Sequence, residues 1–477
     1  MEMESWYFPP RYDATYRPDP ASRYWFPVRE TMPPANRERA ILQRLQLVCR
    51  YAYANSNFYR RKWDEAGFHP EHLRTLEDFE DKVPVITKRD LREAQARAPA
   101  FGDYLCVPES EIFHIHGTSG TTGRPTAFAI SRVDWEAIAN AHARVMWGMG
   151  IRPSDTVFIA AILSLYLGSW GALAGTERLG ARAFPFGAGA PGMTLRAASW
   201  LNDVKPTVFY GTPTYALHLA DTALKEGLNP RAFGLQRLLF SGEPGASIPS
   251  VCAKLIEAYG ASVFDSGSMA EMTPWMSASG TAESSPGMLL WQDIVYTEVC
   301  DPQTFRRVPY GQRGTPVYTH LERTSQPMIR LVSGDLTIWE DGPTPCGRTY
   351  PRLPQGIFGR IDDMFTIRGE NVYPSEIDSV LNQIVEYGGE HRICITREGA
   401  MDELILRVEP TAEVFADSAR IQWFRSEVDR KILKTLAVRA VIEVVAPQTF
   451  PRTDFKARRV IDDREVFREL ARKLQGA

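Results

Sequence analysis

The sequence predicts an α/β protein with a large N-terminal α/β domain, a β-rich subdomain within it, and a smaller α+β C-terminal domain. Three observations predict this. Between residues 133 and 265, short apolar β-branched runs alternate with helical stretches, the pattern of a largely parallel sheet. From 286 to 345 the pattern changes to short strands set off by turns. Beyond about residue 360 a new alternation of strands and helices begins, long enough for a domain of its own.

The elements follow in order. Residues 1–37 are rich in Pro, Tyr and Arg and read as an extended arm. Helical periodicity runs from Asn36 to about Gly67, with Ile41, Leu42, Leu45, Leu47 and Val48 as core positions. Ile112–His116 reads as a strand entering a Gly/Thr loop. Val157–Ala160, Thr207–Tyr210 and Arg237–Phe240 are strands, with helices near 134–149, 214–226 and 248–259. Leu289–Trp291, Val295–Val299, Pro316–His320 and Leu336–Trp339 are the short strands of the β-rich part. In the last domain, Arg392–Ile395, Leu404–Val408 and Ile442–Val445 are strands, and 375–386, 416–434 and 463–474 are helices. The domain bounds are therefore 1–37 for the arm, 38–359 for the large domain and 360–477 for the small one.

The 477 residues exceed what one core organises, which predicts two to four domains or subdomains. Hydrophobic residues at 44% and charged residues at 24% exclude a disordered or fibrous chain. A net charge of −3, from 55 basic and 58 acidic residues, points away from nucleic acid as a partner. The six cysteines form no CxxC, so neither a disulfide framework nor a zinc knuckle is expected, and a reducing, cytoplasmic setting is. Met1–Pro10 lacks the apolar core of a signal peptide. The uncharged run from Thr156 to Thr176 has the length of a membrane span, but Val157-Phe158-Ile159 followed by Gly168, Gly171 and Gly175 reads better as a strand and a closely packed helix.

The clearest local motif is Gly117-Thr118-Ser119-Gly120-Thr121-Thr122-Gly123-Arg124-Pro125, directly after a strand. Its glycines permit close backbone approach, and successive N–H groups and hydroxyls can nest an anion. It is not a Walker A loop, since GxxxxGK[ST] is absent. A polar surface turn would have the same composition.

Read in chain order with other segments, this loop resembles the phosphate-binding loop of the acyl-adenylate-forming superfamily. Ser241-Gly242-Glu243-Pro244 is similar to that family's adenine-pocket segment, and Ser268-Met269-Ala270-Glu271 to its acid motif. Ser333-Gly334-Asp335-Leu336, Gly359-Arg360-Ile361-Asp362, Arg368-Gly369-Glu370 and Pro451-Arg452-Thr453-Asp454-Phe455-Lys456 resemble its ribose, hinge, tunnel and lysine motifs. Val83–Arg92, His116-Gly117, Glu177–Gly180 and Thr212–Tyr215 narrow the resemblance to the phenylacetate–CoA ligase branch.

The resemblance implies AMP-forming activation of a small aromatic acid with ATP and Mg2+, then transfer to coenzyme A. Thr118, Ser119, Gly120, Thr121, Thr122 and Gly123 would wrap the phosphates, and Gly242, Glu243, Pro244 and Ser268 would line the nucleotide site. Glu271 would ligate Mg2+. Asp335 would accept both ribose hydroxyls, and Arg360 would hold the ribose or phosphate edge. Lys456 would neutralise charge in the adenylation transition state. Asp362 would be the pivot of a mobile C-terminal domain, a reading preferred to a simple cap on a strand turn. Arg368 and Gly369 would shape the coenzyme A tunnel in the second state.

Several positions depart from the family pattern. Gly267 stands where the family has an adenine-stacking aromatic residue, with Phe264 as a possible substitute upstream. Leu289 stands at the His position of the structural zinc of some relatives, so no zinc is expected. Phe455 replaces the usual Gly before the lysine. Ala161-Ile162-Leu163-Ser164 replaces a Tyr-Gly-Tyr-Gly pocket segment, which points to a different acid. Ala161, Tyr166 and Phe186 are the pocket candidates, with Trp170 and Phe184 beside them. Singly, each aromatic residue reads better as core than as pocket lining. Three functions therefore compete: a CoA ligase, an adenylating enzyme that serves an amine, a second acid or a carrier protein, and a catalytically retired binding protein. Neither nucleic acid nor membrane is expected as a partner, and a homodimer is compatible.

Overall fold

The computed structural model describes residues 8–118, 126–187, 192–243, 246–272, 277–283, 287–357, 359–361, 365–367, 370–372, 374–398, 401–436, 438–450 and 459–462. The chain divides into two compact units, Met1–Ile357 and Phe358–Ala477.

The first unit opens with helices α1 (Pro27–Glu30), α2 (Pro34–Asn55), α3 (Asn57–Glu65), α4 (Leu76–Lys82) and α5 (Lys88–Arg97). The single helix expected over 36–67 is thus two. Ser56 breaks it: its N–H closes α2 on Ala52 O while its extended backbone turns the chain. Its Oγ then accepts from Tyr59 N–H at 3.2 Å and caps α3. Ile41, Leu45 and Val48 are buried as expected, whereas Leu42 and Leu47 are only half-buried.

Strands β1 (Ile112–Gly117) and β2 (Ala127–Ser131) form an antiparallel hairpin that leads into α6 (Arg132–Gly148). The expected alternation follows: β3 (Thr156–Ile159), α7 (Leu167–Leu179), β4 (Arg182–Phe184), α8 (Met193–Val204), β5 (Val208–Gly211), α9 (Pro213–Lys225), β6 (Arg237–Phe240), α10 (Pro249–Tyr259) and β7 (Ser262–Gly267). These five strands are parallel, in the order β4-β3-β5-β6-β7. Side chains alternate across them with the period of two that a strand imposes. Phe158, Phe209, Leu238 and Phe240 pack one core with α8, α9 and α10. Val157, Ile159, Val208, Tyr210 and Leu239 pack the other, larger core with α2, α6 and α7. Both faces are covered, which explains why these strands are continuous apolar runs.

The uncharged run 156–176 is therefore β3 and part of a 13-residue helix. A Cβ at Gly175 would stand 2.5 Å from His142 Cβ, so glycine lets α7 lie directly on α6. Among the described residues no helix is long and apolar enough to cross a membrane.

The β-rich part supplies β8 (Ala278–Ser279), β9 (Met288–Leu290), β10 (Val295–Cys300), β11 (Arg313–His320), β12 (Leu331–Val332), β13 (Asp335–Ile338) and β14 (Arg352–Leu353). Strands β8, β9 and β14 extend the parallel sheet past β7 in antiparallel sense, making eight strands. Strand β11 pairs with β10, β12 and β13 in a separate antiparallel sheet.

The second unit contains β15 (Gly359–Arg360), a hairpin of β16 (Phe365–Ile367) and β17 (Glu370–Val372), and α11 (Pro374–Asn382). It continues with β18 (Tyr387–Glu398), β19 (Met401–Pro410), α12 (Ala412–Phe415), α13 (Ser418–Leu436), β20 (Val441–Val444) and β21 (Val460–Asp462). Its sheet runs β20-β19-β18-β21 over a core that includes Ile377, Leu381, Ile393, Leu406, Phe424 and Val428. The helix expected over 463–474 lies outside the described residues.

The N-terminal arm is not loosely laid on. Glu30 accepts from Arg144 Nε at 2.9 Å and Arg348 Nε at 2.8 Å. Asp293 accepts from Arg144 Nη1 at 2.8 Å, Arg29 Nε at 3.0 Å and Tyr350 Oη at 2.6 Å. All of these ionic side chains are buried. Burial alone would raise the Asp293 carboxyl, but Arg144 and Arg29 hold it well below its usual range. Removing Glu30 leaves the buried Arg348 without its carboxylate and Arg144 with Asp293 alone, which costs far more than the pair's net worth. Glu30→Ala should therefore lower unfolding stability by about 3–5 kcal/mol in a urea titration followed by Trp fluorescence. Arg407→Ala, at the exposed 2.7 Å pair with Glu443, should stay within about 0.5 kcal/mol of wild type.

Candidate active site

The sequence-selected residues of the first unit gather where strands end. Thr118 follows β1, Ala161 follows β3, Phe186 follows β4, Gly242 and Glu243 follow β6, and Ser268 and Glu271 follow β7. In an open α/β sheet the carboxyl ends of the parallel strands are where ligands bind, because loops there are free of the packing that covers the faces. Asp335 opens β13, and Arg360 ends β15 in the second unit. Ser119, Gly120, Thr121, Thr122, Gly123, Pro244, Asp362, Arg368, Gly369 and Lys456 lie outside the described residues.

The base of the Gly/Thr loop is tied. Thr118 N–H donates to Thr126 O at 3.1 Å, and Thr126 N–H donates to Thr118 Oγ1 at 3.1 Å. A Cβ on Gly117 would come within 3.1 Å of Thr126 O, so the two stems approach as only glycine permits. Just upstream, His116 is buried and its ring lies parallel to, and stacked with, those of Trp135 and His114. Burial first, and His114 second, pull its imidazole down to about 4, so it is neutral near pH 7.

Glu271 is 3% exposed. Its Oε1 lies 3.4 Å from Lys88 Nζ, while its Oε2 has no hydrogen-bond partner among the described residues. A buried carboxylate oxygen left open in this way fits a divalent cation, which takes one or two carboxylates and otherwise phosphate and water oxygens. Ser268 Oγ, three residues before it, is also buried without a partner among the described residues. Lys88 begins α5 behind a capping box in which Thr87 Oγ1 and Asp90 bond reciprocally. That box sets the helix start, and with it the lysine. The sequence reading noted the Val83–Arg92 segment but not Lys88 as a site residue. The capping pattern Thr87-x-x-Asp90 was the signal that a helix N-terminus stood there.

Gly242 adopts φ +90°, and a Cβ there would meet the Tyr166 hydroxyl at 3.6 Å and Thr212 Cγ2 at 3.8 Å. Tyr210 Oη lies 2.8 Å from Ser241 Oγ. Burial raises the Tyr166 phenol, and its hydrogen bonds with Ser241 and Tyr210 oppose the shift. Three hydroxyls from β5, the β6 end and the α7 start thus meet beneath Gly242. Glu243 is held differently: its Oε1 accepts from Thr214 N–H at 2.7 Å, in the first turn of α9. An acidic side chain is favoured at that helix end.

The pocket candidates separate. Tyr166 joins the hydroxyl cluster, and Ala161 is buried beside it in sequence at the β3 end. Phe186 stacks on Phe158 at 5.0 Å and packs toward the α8–α10 core. Trp170 faces His114 and His116, and Phe184 packs on Trp200. At Gly267, where an adenine-stacking ring was missed, a Cβ would fall 2.6 Å from Ile357 Cδ1 and 3.4 Å from Met288. The space of that side chain is taken by Ile357, and Phe264 is buried in the core.

Asp335 is buried, and its N–H is held by Ser333 Oγ at 3.0 Å after Gly334 at φ +75°. Asp265, on β7, is a further carboxyl that sequence reading passed over. Burial pushes it up to about 7, against the lowering effect of hydrogen bonds from Ser247, whose N–H donates at 2.9 Å. A raised folded value means that the proton is favoured in the folded state. The associated stability is fully present below the unfolded value and is lost as pH rises through about 7. Asp265→Asn should abolish this component. Its melting temperature, relative to wild type, should shift in the variant's favour between about pH 5 and pH 8. A constant difference would refute the assignment.

Residues 60–318 match the family described as AMP-binding enzyme, and residues 369–464 match the AMP-binding enzyme C-terminal domain. The chain is 32% identical to the phenylacetate-coenzyme A ligase of Thermus thermophilus, over 92% of this chain and 99% of that one. It is 30% identical to the Escherichia coli phenylacetate-coenzyme A ligase, over 89% and 94%. Crystal structures of a 2-hydroxyisobutyryl-CoA ligase are also similar. One in the postadenylation state with 2-HIB-AMP is 68% identical, covers 99% of both chains and aligns with a TM-score of 0.94. Another, with 2-HIB-AMP and CoA in the thioesterification state, is 68% identical, covers 99% of both chains and has a TM-score of 0.76.

Proposed function

The chain belongs to the AMP-binding enzyme family, and on that premise we propose that it activates a small branched 2-hydroxy acid as its adenylate and passes it to coenzyme A. Its activity is that of an adenylate-forming CoA ligase, and ATP and coenzyme A are its co-substrates. The observation that carries the choice of acid is the likeness to the 2-hydroxyisobutyryl-CoA ligase over nearly the whole chain. The Tyr166–Ser241–Tyr210 hydroxyl cluster supports it, since polar side chains collected beside Gly242 suit an acid that carries a hydroxyl. So does Ala161-Ile162-Leu163-Ser164, which lacks the tyrosines of the phenylacetate ligase pocket. An aromatic acid is the second reading, favoured by the phenylacetate-coenzyme A ligases among its relatives.

The reaction joins two anions, a carboxylate and a triphosphate, so the site's task is to offset their repulsion. In this reading the loop from Thr118 to Gly123 gives N–H and hydroxyl donors to the phosphates. Lys88 balances Glu271 until the nucleotide arrives. Glu271 would hold Mg2+, which when bound neutralises phosphate charge. Asp335 receives the ribose hydroxyls, with Arg360 at the ribose or phosphate edge. Lys456 reaches the acid's carboxylate and the α-phosphate, and its charge is matched to the transition state rather than to either reactant. Asp362 is the pivot, and Arg368 and Gly369 border the pantetheine path.

Pyrophosphate exchange over 2-hydroxyisobutyrate, lactate, isobutyrate, benzoate and phenylacetate tests the acid. Exchange should be greatest with 2-hydroxyisobutyrate and at least about 10-fold lower with isobutyrate, which lacks the hydroxyl. Preference for phenylacetate or benzoate would replace this reading with the aromatic one. Coenzyme A added next should yield thioester by mass spectrometry. Adenylate without thioester would shift the acceptor to an amine, a second acid or a carrier protein. Lys456→Ala should cut exchange by about 10²–10³-fold and spare thioester formation from supplied adenylate. Equal loss of both would contradict a lysine confined to the first step.

A further inference from the structure

We propose that Arg459, with Asp378 and Glu390, is a positioning cluster that sets the segment bearing Lys456 for the adenylation half-reaction. The inference rests on the reading of Lys456 given above. Residues 451–458 are flanked by two described anchors, both within the second unit. Upstream, Phe450 N–H donates to the buried Glu409 Oε1 at 2.7 Å, and its ring lies 4.7 Å from the Arg392 guanidinium. Downstream, Arg459 O accepts from Ile393 N–H at 2.8 Å, and β21 then runs beside β18 from Val460.

The Arg459 guanidinium forks between two acids. Nη1 is 3.4 Å from Asp378 Oδ1, Nη2 is 3.2 Å from Glu390 Oε1, and Nε is 3.4 Å from Glu390 Oε2. Glu390 is 2% exposed and also pairs with Arg392 Nη1 at 3.4 Å. Asp378 is held in turn: His391 Nε2 lies 3.0 Å from its Oδ1, and His391 Nδ1 meets Tyr387 Oη at 2.7 Å. The charges balance, two guanidiniums against two carboxylates, with each acid fixed by an independent element. Asp378 is on α11 and Glu390 on β18. Glu390 is buried and Asp378 half-buried, and Arg459 is the one guanidinium among the described residues that bridges the two, so the pairing holds the chain three residues past Lys456.

That constraint matters because a displacement of the order of 1 Å in a reacting group costs about 10² in rate. A lysine side chain is long and flexible, so its reach is useful only if its backbone is fixed. Arginine suits the anchor, since a planar fork serves two acids at once where an ammonium is a single point charge. Helix α11, which follows the Gly369 segment, keeps its own apolar hold through Ile377, Val380 and Leu381. Loss of Arg459 therefore falls on the lysine side and not on the tunnel side.

The test uses the full chain, with Arg459→Gln, Arg459→Lys and Asp378→Asn. Two rates are read: pyrophosphate exchange with the acid that wild type uses best, and thioester formation from its supplied adenylate and coenzyme A. Arg459→Gln should lower exchange by about 10²-fold while thioester formation stays near wild type. Arg459→Lys should recover part of the exchange. Parallel loss of both rates, or unchanged exchange in a folded variant, would overturn the proposal. Should Arg459→Gln not fold, the Lys and Asn variants carry the same comparison. Lys456→Ala, run beside them, separates the two failures. If it retains exchange, the lysine reading fails. If it loses exchange while the Arg459 and Asp378 variants keep theirs, the positioning cluster fails.

Discussion

Glu30 and Asp293 stand at the centre of a buried charge balance on which the first unit depends. Three guanidiniums, Arg29, Arg144 and Arg348, arrive from segments more than a hundred residues apart. None can stay in the interior without the carboxylates, and the carboxylates are equally stranded without them. Arg144 belongs to α6, so the balance fixes that helix. At its other end α6 is capped by Ser131, and Asp134 in the same box also accepts from Thr324 N–H at 2.6 Å and Ser325 N–H at 2.8 Å. Ser131 ends β2, β2 pairs with β1, and β1 delivers Thr118. One uninterrupted chain of contacts thus runs from the N-terminal arm to the base of the Gly/Thr loop.

The parallel sheet does the rest of the placing. Its two faces are closed by cores on either side, so polar chemistry is confined to the strand ends. There Glu271 Oε2 and Ser268 Oγ are buried with no hydrogen-bond partner among the described residues. Gly117 and Gly242 are glycines for reasons of distance and φ, and the hydroxyl cluster under Gly242 exists because β5 and β6 end where α7 begins. Glu271 is costly by itself, being buried with one oxygen open. Such a cost is sustained where a ligand offsets it.

The second unit has its own core, built without residues of the first. Apolar residues of α11 pack into that core, and the Arg459 fork ties the start of β21 to α11 and β18. In the proposed reading these are two separate attachments, one for the tunnel side and one for the lysine side.

The sequence alone determined the α/β class, the strand–helix alternation from 133 to 265 and the change of character near 286 and 360, because periodicity and turn residues are local properties. It also determined the family, through short motifs whose order survives substitution around them. It did not show that Ser56 would split the first long helix, because a cap is decided by the one residue whose side chain competes for the backbone. Lys88 beside Glu271, Ile357 in the space of the absent aromatic ring and the hydroxyl cluster of Tyr166, Tyr210 and Ser241 all join positions distant in the chain. The same is true of Glu30 with Arg144, and of Arg459 with Asp378. Only the tertiary structure decided these, because burial turns an ordinary charge or hydroxyl into one that must find a partner, and sequence spacing carries no record of which partner is near.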